Sequence, residues 1–159
     1  MIFVTVGTDL PFNRMVKTID EWAEENDRHD IFAQIGDGAW EPKHIRFSAL
    51  LEPPEFTRLF KSASVIVSHA GMGTILSALH YGKPILVMPK RGSLGEHRSE
   101  HQVATARRMM ELGNVNVAFD EDELRLRLDH LDHLVPSKRI ESHAGSSLIA
   151  GLRNFIFIE

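Results

Sequence analysis

The sequence contains no cysteine. A disulfide scaffold, a zinc–thiolate site, an iron–sulfur cluster and a thiol nucleophile are therefore excluded. Long hydrophobic runs are also missing; the apolar stretches are a few residues each, too short to span a membrane. There is no surplus of positive charge. Eighteen Lys and Arg stand against 22 Asp and Glu, a net charge of −4, whereas broad nucleic-acid binding needs a basic face. The opening Met1-Ile2-Phe3-Val4 has no basic n-region and leads to no small-residue cleavage site, so a secretory signal is not expected. No repeat or low-complexity linker breaks the chain. What remains is 159 residues, 43% hydrophobic and 25% charged, the balance of an ordinary globular domain. A chain of this length buries about 70% of its unfolded surface, enough for a core without staples. One domain over residues 1–159 is expected.

Two periodicities alternate along the chain. Ile2–Val6, Ile31–Ile35, Ile45–Leu51, Ser64–Ser68, Ile85–Met88 and Val115–Phe119 read as short buried strands. Asn13–Glu25 carries a helical stripe of Met15, Val16, Ile19, Trp22 and Ala23, with Asn13 as its expected cap. Pro53-Pro54 opens a helix through Phe60, because proline suits the first helical turn. Further helices are expected from the Gly71 loop to Tyr81, from about Ser99 to Leu112, over Glu121–Leu131, and from Pro136 toward Arg153. Gly82 followed by Pro84 reads as a helix stop. Strands alternating with helices through short loops predict a Rossmann-like, doubly wound parallel α/β sheet. Such sheets bind ligands beyond the carboxyl ends of their strands, so the loops there are where chemistry is sought.

The loop Ser68-His69-Ala70-Gly71-Met72-Gly73-Thr74 is the most informative. The amides of Gly71, Met72, Gly73 and Thr74 would be free donors at a helix N-terminus, a site suited to phosphate. Thr74 adds a hydroxyl and His69 an imidazole. The plain alternative is a tight turn, with the glycines there for packing and His69 as a cap. Gly7 and Thr8 repeat the geometry after the first strand. His97, Glu100 and His101 spell the H-x-x-E-H pattern of some zinc peptidases, but they begin a helix instead of lying within one, and no metal site is expected. A polar hand at the sheet edge fits better: Gln102 and His101 toward sugar hydroxyls, Arg98 and His97 toward phosphate or a carboxylate. His130 and His133 read as a solvated face. His143 beside Gly145-Ser146-Ser147 lacks a nucleophile elbow. Trp40 lines a pocket or covers the core edge, and Met109 and Met110 read as core.

These motifs together resemble a known family. His69-Ala-Gly-Met-Gly-Thr74, Gly82-Lys-Pro84 and His101-Gln102 resemble the donor-binding half of GT-B glycosyltransferases, the family 28 C-terminal domain. With Ile2–Thr8, Leu10–Asn13, Phe32–Gly36, Lys83–Pro89 and Glu96–Ala106, the first 130 residues or so look like the soluble subunit of two-component exopolysaccharide glycosyltransferases. These subunits are related to the soluble subunit of the UDP-N-acetylglucosamine transferase of N-glycan assembly. The resemblance implies a UDP-sugar-binding subunit of an inverting, two-chain hexosyltransferase, with the acceptor half on a separate membrane-anchored chain. By position, His69, Gly71, Met72, Gly73 and Thr74, with Gly7 and Thr8, would meet the diphosphate. Glu100, His101 and Gln102 would meet the sugar. The backbone of Ala49, Leu50 and Leu51 would hold uracil. Ser77 stands where many GT-B enzymes place a glutamate for the ribose, so a hydroxyl would have to serve. No metal or other cofactor is implied, and the catalytic base is expected on the partner. The chain would be cytoplasmic and reach the membrane through that partner. The apolar stretch within residues 136–159, including Leu148, Ile149, Leu152, Phe155, Ile156 and Ile158, would dock it, or would instead pack on the chain itself or form a homodimer. A non-catalytic nucleotide-sugar-binding module that enhances a partner is the alternative function.

Overall fold

The computed structural model describes residues 1–113 and 115–134. The expected helix and tail at 136–159, and with them His143, lie outside the described residues. Six parallel strands form one sheet: β1 (Ile2–Thr5), β2 (Ile31–Gln34), β3 (Arg46–Ser48), β4 (Val65–His69), β5 (Ile85–Met88) and β6 (Asn116–Val117). Their order is β3-β2-β1-β4-β5-β6, and every neighbouring pair is parallel. The order reverses between β1 and β4, which places a crevice above that pair. Connecting them are α1 (Asn13–Glu25), α2 (Pro53–Ser62), α3 (Met72–Tyr81), α4 (His101–Glu111) and α5 (Glu121–Asp129).

Side-chain alternation along the strands divides the core into two layers. Ile2 and Val4 of β1 face a cluster with Met15, Ile19 and Trp22 of α1 and Leu124 and Leu128 of α5. Phe3, between them in sequence, faces the opposite cluster with Phe60 of α2, Ile75 of α3 and Met109 of α4. The Phe3 ring meets Phe56 and Phe60 edge-on at 5.4 and 6.1 Å. Helices thus cover both faces, as the doubly wound reading requires.

Local departures have local causes. Asn13 does not cap α1: Phe12 holds the cap position without a side-chain bond, and Asn13 Oδ1 accepts from the Trp40 amide at 2.9 Å. Trp40 covers the core edge, half-buried against the first cluster. The third strand is three residues long, not seven. Ile45 gives its amide to Asp20, whose buried carboxylate also takes the amides of Lys43 and His44. Past Ser48 the hydroxyl folds back onto the Leu50 carbonyl at 2.7 Å, before Pro53 starts α2. The helix expected from Ser99 begins at His101. The one expected to Leu131 ends at Asp129, followed by a 3₁₀ turn over Leu131–His133. Met110 is not core; it is 46% exposed while Met109 is buried.

Candidate functional site

Three loops at the carboxyl edge build the site. After β1, Gly7 adopts φ +81° and donates its amide to Thr5 Oγ1 at 3.3 Å; that hydroxyl in turn donates to Gln34 Oε1 at 2.9 Å. After β4 the chain enters α3 through Gly71, the N-cap, with no side-chain hydrogen bond to the helix end. The first helical bond runs from the Ile75 amide to the Gly71 carbonyl. Amides of the first turn therefore face the crevice with no capping side chain. His69 does not cap the helix.

The His69 ring lies between two glycines. A Cβ on Gly71 would stand 2.1 Å from His69 Nε2, and one on Gly7 would stand 2.8 Å from its Cε1. These glycines make room for the imidazole. Gly73 differs, because nothing lies within 4 Å of the Cβ it lacks. The paired expectation follows. Gly71→Ala displaces the ring and destabilises the fold by about 1–3 kcal/mol through overpacking. Gly73→Ala leaves unfolding unchanged but obstructs any ligand seated on the α3 amides. Denaturant melts beside a ligand titration of each variant check this; equal stability of the two would contradict the wedge.

The third loop follows β5. Arg14 of α1 holds Glu96 in a bidentate ion pair at 2.7 and 2.9 Å and reaches Glu121 at 3.1 Å. Glu96 also accepts the Arg91 amide at 2.9 Å, and Arg91 donates to the Phe119 carbonyl at 2.6 Å. These bonds fix residues 90–97 over the sheet. The Gln102 Oε1 accepts from the Lys90 amide at 3.1 Å, which aims the remaining NH₂ group as a donor. His97 stands edge-on to His101 at 4.5 Å, with its Nε2 3.9 Å from Asp9. Glu100 turns away, accepting the Ser93 amide at 2.6 Å. Among the described residues no three His, Asp or Glu side chains converge as metal ligands.

A cleft of about 630 Å³ opens between these loops. The structure brings Gly7, Thr8, His69, Gly71, Gly73, Thr74, Ser77, Leu51, His101 and Gln102 to its wall, and His97 with them. Ser77 already donates to the Gly73 carbonyl at 2.8 Å, so toward a ribose it offers an acceptor. Four candidates stand off the wall. Met72 packs against the second core cluster, and Glu100 binds Ser93. The Ala49 carbonyl accepts the Gly36 amide, and the Leu50 carbonyl accepts from Ser48. Sequence reasoning did not single out Thr5, Asp9, Gln34, Phe56 or Lys90, which also line the cleft. Lys90 had a readable signal: a lysine two residues past the end of a buried strand, at the ligand edge of the sheet. Gln34 had none, since it reads as one more strand residue.

The electrostatics are set by burial. The His69 pKa is pushed down to about 4, first by desolvation and then by the positive charge of Lys90, with the Thr5 backbone acting the other way. Its Nδ1 is buried with no hydrogen-bond partner. His69 is thus neutral at pH 7, and an anion entering the cleft would act against these depressing causes, to which His97 also adds.

Comparison with known proteins accords with this geometry. The glycosyltransferase family 28 C-terminal domain matches residues 1–147. The UDP-N-acetylglucosamine transferase subunit ALG13 of Eremothecium gossypii is 41% identical over 64 residues, 40% of this chain and 30% of that protein. A solution structure of ALG13 superposes with a TM-score of 0.62 at 17% identity, covering 95% of this chain and 93% of that one. The crystal structure of Acinetobacter baumannii MurG gives 0.62 at 16% identity over 97% of this chain and 48% of that one. The kitacinnamycin glycotransferase gives 0.61 at 22% identity, over 83% and 34%. The chain thus spans about a third of the Eremothecium relative and of the kitacinnamycin enzyme. The sheet is that of a GT-B C-terminal domain. Because that match spans most of the sequence, residues 1–147, the chain belongs to the glycosyltransferase family 28 C-terminal domain family.

Proposed function

We propose that the chain is the UDP-sugar-binding subunit of a two-chain inverting glycosyltransferase, acting on a lipid-linked acceptor in polysaccharide synthesis. One observation carries the reading: an uncapped α3 N-terminus and the His69 ring share a single cleft at the switch in strand order. That arrangement suits a diphosphate. The related ALG13 is named as a transferase subunit, which supports a partner chain here too.

In this reading the acceptor oxygen attacks the sugar C1 as the bond from C1 to the diphosphate breaks. Negative charge then grows on the leaving diphosphate. In this reading the amides of Gly73 and Thr74 and the His69 imidazole, held in place by the fold, stabilise that charge without reorganisation. Gln102, held by Lys90, donates to a sugar hydroxyl. The acceptor and its base belong to the partner, a membrane-anchored chain that brings this subunit to the membrane surface.

The purified chain should bind UDP in the presence of a chelator, and should transfer sugar only when the partner is added. Strict dependence of binding on magnesium or manganese would sink the metal-free site. Robust transfer by the chain alone would overturn the split enzyme. His69→Ala should weaken UDP binding about tenfold or more, the scale of a hydrogen bond to a charged group. Unchanged affinity in the folded variant would return His69 to a packing role.

A further inference from the structure

Lys90 is 1% exposed, a charged side chain among the most deeply buried groups in the protein. It leaves the chain just past β5 and runs beneath the loop after β1, where its Nζ donates to the Leu10 carbonyl. An ammonium has three N–H donors, and this uncharged acceptor uses one. No ion pair to Lys90 forms among the described residues. The carboxylates that bear on it are Asp9 and Glu96. Glu96 is taken by Arg14 and the Arg91 amide, and Asp9 is half-exposed with its carboxylate 3.9 Å from His97 Nε2, so neither is in contact with the ammonium. A buried charge without its own counter-charge is costly to fold. Desolvation accordingly pushes its pKa down. Fastening one loop to the sheet would need only a neutral donor, so the charge calls for another reason. Lys90 also lines the cleft beside His69 and Gln102.

We propose that Lys90 is a donor-binding residue whose free N–H groups take an anionic oxygen of the nucleotide sugar, either of the diphosphate or of a carboxylate on the sugar. This rests on the UDP-sugar reading above and adds a cationic contact to the backbone amides, His69 and Gln102 already assigned to the donor. The Leu10 carbonyl holds the ammonium in place until the anion arrives.

The test is calorimetry on the full chain and on K90M and K90R, with uridine, pyrophosphate, UDP, UDP-glucose and UDP-glucuronic acid. K90M keeps the alkyl stem and removes the charge. It should lose about tenfold or more in affinity for every anion that Lys90 meets, and lose nothing for uridine. K90R should lose less than K90M. Equal losses for pyrophosphate, UDP and both UDP-sugars assign the contact to phosphate. A loss confined to UDP-glucuronic acid assigns it to the sugar carboxylate and names a uronic acid donor. Unchanged affinity for all the anions in folded K90M overturns the assignment. Should K90M fail to fold, the Lys90 side-chain NMR signals of the wild type decide: a shift on adding pyrophosphate or UDP-glucuronic acid supports the contact, and no shift with either overturns it. A wild type that binds pyrophosphate through Lys90 but no uridine nucleotide keeps this contact and defeats the UDP reading. A folded wild type that binds none of these anions defeats both.

Discussion

Arg14→Met is expected to cost about 3–5 kcal/mol of unfolding free energy, the range for breaking a buried ion pair by removing one partner. Arg14 and Glu96 retain only 13% and 11% of their side-chain exposure, so the carboxylate left behind is poorly solvated. The backbone amide of Arg91 alone would remain on Glu96. Replacing both members with apolar residues of similar shape, Arg14→Met with Glu96→Leu, should restore most of the stability, because no uncompensated charge then stays buried. Ligand affinity should not recover with it. Glu96 fixes the loop that carries Lys90 and His97 to the cleft, and a leucine cannot accept the Arg91 amide. Urea unfolding and UDP titration of the single and double variants give both readings. A single variant as stable as the wild type would show that the pair contributes nothing to the fold.

Stability should fall by about 3 kcal/mol between pH 7 and pH 4 through His69 alone, at 1.36 kcal/mol per pKa unit. The sign follows from burial. The folded-state pKa of about 4 lies below the ordinary value of 6.5. Between those two values the unfolded chain binds a proton that the native ring refuses, so unfolding gains as pH drops. The contribution is fully present above about pH 6.5 and is gone once pH reaches about 4. His69→Gln, which cannot titrate, should remove that part of the slope. The check is the difference in slope between wild type and variant in urea titrations from pH 7 to pH 4, since carboxylates contribute to both chains alike. Identical slopes would assign the window to other groups. Under the proposed function, UDP binding also becomes tighter as pH falls through this range, because the bound diphosphate favours the protonated ring.

The regular elements were legible where packing on both faces enforces the pattern. The stripe from Met15 to Ala23 and the run Ile85–Met88 are each constrained by core, and α1 and β5 occupy the expected residues. The edges of the sheet were less legible. β3 and β6 have one neighbour each, so a side chain can take over a backbone group there, as Asp20 does at Ile45 and as Asn116 does by donating to the Ile85 carbonyl. The cleft's first wall could be read from Gly7, Gly71 and Thr74, because glycine after a buried strand marks a turn where a ligand can reach the backbone. The reason for Gly71 could not. A glycine that admits a ligand and a glycine that admits a neighbouring imidazole are the same letter.

Periodicity and turn residues alone settle the parallel α/β class and mark the carboxyl edge of the sheet, with its loops, as the place to seek a ligand. These depend on local backbone preference and on which side of each strand is apolar, and both are written in runs of ten residues or fewer. Which loops meet is a matter of strand order, and that is non-local. Only with β1 lying against β4 does His69 sit between Gly7 and Gly71. Only with β5 next to β4 does the chain of contacts from Arg14 through Glu96 bring a buried Lys90 and His97 to the same cleft. Burial, which sets the His69 pKa and strands the Lys90 charge, comes from atoms far apart in the chain, so the tertiary structure decided the chemistry of a site whose place the sequence had marked.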